Sequence, residues 1–107
     1  MSINTAVIAL SVEKRVPVDA AERFTVGQKV WAWVSVKNLG EASNLTMLWK
    51  HDGKVKSRVT LEVGTSKRWR TWSRRTMRAK DTGAWTVEVL DASGQLIETI
   101  PFEMTAN

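Results

Sequence analysis

The fourteen residues "KRWRTWSRRTMRAK" (67–80) hold seven basic side chains and two tryptophans, with no acid among them. Guanidinium and ammonium groups at this density suit contact with phosphate or carboxylate. Indoles set between them add flat faces on which sugar rings or bases stack. The chain carries a formal charge of +5, yet outside 67–80 nine basic residues face eleven acidic ones, a balance of −2. The positive character is therefore local, and an anionic partner is expected to meet the protein at this stretch.

Catalytic chemistry has far less support. It would need a nucleophile with a base, a pair of carboxylates, or a set of metal ligands. The single histidine, His51, stands beside Asp52 in "WKHDGK". That is a turn sequence, and an exposed, mobile tip is a poor place for a preorganised base. The acids are scattered on outward positions such as Glu62, Glu88 and Glu103. Cysteine is absent, which removes disulfides, thiolate zinc sites and thiol nucleophiles. There is no glycine-rich phosphate loop. The expectation is a non-enzyme with no catalytic residues, no metal site and no cofactor.

The elements that must position the basic run read as strands. Period-two alternation dominates, and no segment shows a sustained helical stripe. Residues 5–14 place Ala6, Ile8, Leu10 and Val12 on one face. Residues 28–38 place Val30, Ala32, Val34 and Val36 on one face and Trp31, Trp33, Ser35 and Lys37 on the other. The next alternating runs are 45–50 (Leu45, Met47, Trp49) and 55–63 (Val55, Val59, Leu61, Val63 inward). Further on, 84–90 offers Trp85, Val87 and Val89, and 96–104 offers Ile100, Phe102 and Met104. "HDGK" (51–54) and "DASGQ" (91–95) join hairpins. "NLGEASN" (38–44) is a loop, and "VDAAERF" (18–24) a short helical turn or an irregular crossover. Pro101 marks an edge strand or a bulge, since proline cannot donate to a ladder. With 67–73 added, about seven strands at short spacing predict a single all-β domain over 1–107, an immunoglobulin-like antiparallel β-sandwich. "DTGAWTV" (81–87) has the spacing that opens strand F in many such domains. Trp85 stands in the usual tyrosine position, where a ring packs at the corner and its polar tip can bond backbone.

The order "VPV…F…G…V…V.N", "LWKHDGK", "RWRTWS" and "GAWTVEV.D.SGQLIE…F", from about Val12 to Met104, resembles the bacterial domain-of-unknown-function family 2914. The resemblance implies a small β-sandwich with no established activity, so no catalytic residue carries over. It also implies a place after a membrane anchor or another domain on the exported, periplasmic side of a bacterial membrane. The opening "MSINTAVIALSVEKR" has no basic n-region ahead of its apolar part, so no signal peptide is expected here. No apolar run is long enough to span a bilayer.

Within this frame "KRWRTWS" is a strand and "RRTMRAK" a cationic loop. Trp49, Trp69 and Trp85 are expected in the core. Trp31 and Trp33 stand about 7 Å apart on the opposite face, as i and i+2 neighbours on a strand do, with Arg68, Arg70, Trp72 and Arg74 beside them. Two readings of that face stay open. In one, arginines cover the indoles in a structural cation–π ladder; in the other, the candidate binding set Trp31, Trp33, Arg68, Arg70, Trp72, Arg74, Arg75, Arg78 and Lys80 contacts a ligand. The partners that fit are an anionic or glycan ligand of the cell envelope, or an acidic protein. Acidic lipid headgroups at a membrane surface are a further candidate. Nucleic acid ranks last, because no reader motif is present.

Overall fold

The computed structural model describes all 107 residues as two packed antiparallel-rich sheets. Nine strands follow in order: β1 Ser2–Glu13, β2 Val16–Ala21, β3 Arg23–Thr25, β4 Lys29–Asn38, β5 Ser43–His51, β6 Lys54–Val63, β7 Ser66–Thr76, β8 Gly83–Leu90 and β9 Leu96–Thr105. A short 3₁₀ turn, Ala79–Asp81, precedes β8. One sheet has the order β2-β1-β4-β7 and the other β3-β9-β8-β5-β6. The seven expected strands are all present. The two extra ones come from residues 16–25, where no helical turn forms and the crossover between sheets is made of two short strands. The chain pairs with β1 as β2, leaves that sheet at Glu22, and joins the other as β3, parallel to β9.

The core lies between the sheets, and the alternation built it. Val30, Ala32, Val34 and Val36 of β4 face Leu45, Met47 and Trp49 of β5, Trp85, Val87 and Val89 of β8, and Ile100, Phe102 and Met104 of β9. Val55 is an exception to its expected inward side. A register break between Trp49 and Lys50 pairs Lys50 with Val55 and leaves that valine exposed at the edge of β6. Pro101 pairs with Thr86 of β8 and lies two residues before β3 begins to cover the other side of β9. There its missing N–H costs no ladder bond.

The β5–β6 turn is the two-residue kind with positive φ at both Asp52 (49°) and Gly53 (83°), as Asp-Gly between alternating runs favours. At the β8 corner the Trp85 indole N–H donates to the Asp81 carbonyl, 2.8 Å away. The indole thus makes the backbone bond that tyrosine usually makes in this position. His51 is not a mobile tip. It ends β5, its side chain is 13% exposed, and its ring stacks on Trp85 at 4.6 Å and 8°.

Candidate functional site

Register decides which side chains share the outer face of the β2-β1-β4-β7 sheet. Trp31 pairs with Arg74, Trp33 with Trp72 and Ser35 with Arg70, so these six stand together on the face away from the core. Their inward neighbours are Val30 with Arg75, Ala32 with Ser73, Val34 with Thr71, and Val36 with Trp69.

The first hairpin reshapes this face. β1 pairs with β4 only as far as Ala9–Trp31, and its last residues pair with β2 alone. The freed tip folds back across the face, and the carbonyl of Arg15 accepts the Trp33 indole N–H at 3.2 Å. Trp33 is consequently only 6% exposed although it lies outside the core cluster. The tip is a two-residue turn between Glu13 and Val16 in which Lys14 (φ 51°) and Arg15 (φ 63°) both sit in the left-handed region. Such a turn favours Asn-Gly, and bulky residues hold it at a cost of about 1–2 kcal/mol each.

On one side of the strap lies a groove of about 560 Å³ lined by Asn4, Thr5, Val16, Trp33, Ser35, Lys67, Arg68 and Arg70. On the other lies a groove of about 440 Å³ lined by Arg15, Thr65, Ser66, Arg68, Trp69, Arg70 and Trp72. Arg68 and Arg70 border both. A register break at Asn4 aims its amide across β4, where it donates to Ser35 Oγ (3.4 Å) and to the Lys67 carbonyl (3.0 Å). This ties β1 to β7 and sets the groove floor.

The electrostatics are one-sided. The chain has two ion pairs, Arg23–Glu103 and Lys50–Glu88, and a 3.5 Å contact between His51 and Asp52, and none of these involves a groove residue. No indole of the face carries a guanidinium either. The one cation–π contact is interior, with Arg75 5.2 Å from the ring centre of Trp85. The structural ladder expected as one reading of the face is therefore not formed, and Arg15, Lys67, Arg68 and Arg70 are left for solvent or a ligand.

The candidate residues thus divide. Trp33, Arg68, Arg70 and Trp72 come together at the grooves. Trp31 and Arg74 continue the same face. Arg75 does not belong there: β7 runs to Thr76 instead of ending at 73, which turns Arg75 inward, half-buried, to donate to Ser57 Oγ. Met77, next along, is fully buried, so "RRTMRAK" is no free cationic loop. Arg78 and Lys80 lie in the capped 3₁₀ turn, where the Asp81 carboxylate accepts the Arg78 backbone N–H at 2.8 Å. They stand past the far end of β7, roughly 20 Å from Arg70 by strand rise. Trp69, expected in the core, is 37% exposed. Its edge position carries the indole out over Gly64, and its N–H donates to the Glu62 carbonyl at 3.0 Å. Arg15, Val16, Asn4 and Lys67 line the grooves as well, outside the candidate set. Only the hairpin's return over Trp33 brings the first two there.

At the other polar cluster His51 Nε2 lies 2.8 Å from the Thr82 carbonyl, an acceptor to which it donates. No group of three or more His, Asp or Glu side chains is placed to hold a metal ion.

The sequence model of a family described as "Protein of unknown function (DUF2914)" matches residues 42–104, more than half the chain. The chain belongs to the DUF2914 family. The match begins at Ala42 rather than near Val12, so the DUF2914 segment spans β5 to β9 with Arg68, Arg70 and Trp72, while the strap and Trp33 lie outside it. No curated protein matches the chain. Among solved structures it is similar to the CARDB domain of the PF1109 protein from Pyrococcus furiosus, a crystal structure in complex with di-metal ions. The TM-score is 0.54 at 11% identity, covering 100% of this chain and 93% of that one. At that identity the likeness concerns the fold, a β-sandwich. No helix is long and apolar enough to cross a membrane.

Proposed function

We propose that this DUF2914 domain is a non-catalytic binding module, an accessory domain of an exported or membrane-tethered bacterial protein. Its strap-covered grooves hold an anionic glycan of the cell envelope. The observation that carries this reading is the pair of grooves bordered by Arg15, Lys67, Arg68 and Arg70 with no ion-pair partner for any of them. Cations concentrated in a concave surface focus their field on an approaching anion. Trp72, half-buried beside the grooves, offers a ring face, whereas Trp33 serves as the strap's anchor and not as an open platform.

The strained tip supports the same reading. A turn that favours Asn-Gly instead holds Lys14 and Arg15 at positive φ, and backbone strain of this kind concentrates at functional sites.

The test is a fluorescence and calorimetric titration with a uronate-bearing polysaccharide, a neutral glycan, a single-stranded oligonucleotide and anionic vesicles. The expected result is salt-sensitive binding of the acidic glycan that the Arg68→Ala/Arg70→Ala pair abolishes and the Arg78→Ala/Lys80→Ala pair leaves intact. Equal binding of the neutral glycan, or an unaffected Arg68/Arg70 variant, would defeat the proposal. Tighter binding of the oligonucleotide or the vesicles would reassign the ligand.

A further inference from the structure

The sandwich has four strand edges: β2 and β7 in one sheet, β3 and β6 in the other. Three of them are blunted. β2 is six residues long, contains Pro17, and has its ladder interrupted at Asp19, which takes a φ of 57°. β3 is three residues long, and the free stretch of β9 beside it contains Pro101. β6 has a register break near its start and presents Lys54, Lys56 and Arg58 to solvent. These are ordinary devices against unwanted strand pairing.

β7 differs. From Trp69 to Thr76 its register with β4 is unbroken, and the stretch has no proline, no glycine and no positive φ. That is roughly 26 Å of regular strand whose outer backbone groups have no partner strand. Its only protection is charge. On the outer face Arg70, Trp72 and Arg74 follow one another at i, i+2 and i+4. A second copy pairing antiparallel about Trp72 would set Arg70 directly against Arg74, and directly opposed like charges destabilise a pair. The same pattern favours a strand of opposite charge, because neither arginine has an acid within ion-pair distance.

We propose that the β7 edge is a strand-addition site for an extended acidic segment of a partner protein, with the pattern acid-x-apolar-x-acid set against Arg70, Trp72 and Arg74. Backbone bonds to the edge supply binding, and the alternate side chains supply selection. This inference rests on different contacts from the glycan grooves: it uses the outward backbone of Trp69–Thr76, although Trp69, Arg70 and Trp72 also line a groove.

The probe is the peptide Thr-Thr-Glu-Thr-Val-Thr-Glu-Thr-Thr, compared with a copy N-methylated at alternate residues and with one in which both glutamates are lysines. Binding to the full chain is followed by amide hydrogen exchange and NMR shifts. The expected result is slowed exchange across Trp69–Thr76, with binding weakened at least about tenfold by N-methylation through lost backbone bonds. The lysine peptide is expected not to bind. If the N-methylated peptide binds as well as the parent, contact is through side-chain charge alone and strand addition is wrong. Absence of binding by the parent peptide also overturns the proposal. So does concentration-dependent association of the protein through β7, which would make a second copy the occupant. Because the peptide carries no sugar, failure here leaves the groove reading standing, and failure of the glycan titration leaves this one standing.

Discussion

Replacing Lys14 with Asn and Arg15 with Gly separates the fold's interest from the site's. Both residues hold positive φ in the two-residue turn of the strap. An L-residue there costs about 1–2 kcal/mol; glycine removes that cost and returns roughly 0.5–1 kcal/mol through its freer unfolded chain. Asparagine, one of the residues enriched in the left-handed region, recovers part of the cost at position 14. The net expectation is a gain of about 1–2 kcal/mol, or roughly 5–10 °C in Tm for a domain of this size. The Arg15 carbonyl that accepts the Trp33 indole N–H is backbone and survives the change. The two cations at the tip do not survive, and Arg15 lines a groove. Affinity for an acidic polysaccharide should therefore fall several-fold, with the slope of log affinity on log salt reduced by about one for each lost contact. Urea and thermal unfolding measure the first effect, and calorimetric titration at several salt concentrations the second. A variant no more stable than the parent would refute the strain argument. A stabilised variant with unchanged affinity and salt slope would refute the role of the tip in binding.

Ser73→Ala removes the buried hydroxyl that accepts the Trp49 indole N–H at 3.0 Å and touches Met47 Sδ at 3.1 Å. Leaving a fully buried N–H unpaired should cost about 1–3 kcal/mol in urea unfolding, and a loss near zero would mean that another acceptor takes it. Gly64→Ala would set a Cβ 2.6 Å from the Trp69 ring. The indole must then leave Glu62, visible as a red-shifted tryptophan emission and an altered Trp69 indole N–H resonance. Asp91 titrates below the ordinary aspartate range because the Ser93 hydroxyl donates to its carboxylate at 2.7 Å, followed by the Gln95 backbone N–H at 2.9 Å. A carboxyl lowered in the folded state adds stability above its unfolded pKa, lost as pH falls through the folded value. NMR titration should show the Asp91 pKa rise in Ser93→Ala, and no rise would contradict the assignment.

The inward faces of β4, β5, β8 and β9 were legible because their core-facing apolar side chains recur at every second position; the valines of β4 leave no second solution. The sharing of one face by Trp31, Trp33, Arg70, Trp72 and Arg74 was legible for the same reason. What failed was local or came from far along the chain. Residues 16–25 look irregular because one continuous stretch serves two sheets and changes sides at Glu22. The strap was invisible because its turn is Lys-Arg, which carries no turn signal. Without the strap, Trp33 reads as open and Arg15 as an ordinary surface residue. Arg75 was misplaced by a few residues of strand length, and Trp69 because at the edge of a sheet an inward-pointing side chain need not reach the core. The division of the charge run into a strand and a loop was right in kind, but the strand runs on to Thr76 and carries Arg78 and Lys80 away from Arg68 and Arg70.

β7 would ordinarily be the strand easiest to peel, since it has a neighbour on one side only. Its inward side chains say otherwise. Trp69 bonds the backbone of β6, Ser73 accepts from Trp49 of β5, and Arg75 reaches Ser57 of β6 and lies over Trp85 of β8. A pull on whatever is attached to β7 is thus shared at three points with the opposite sheet as well as with β4. Rupture under load then requires the two sheets to slide past each other, not one ribbon to unzip. The strand that offers the free edge and the arginines is thus also the one most firmly pinned across the sandwich.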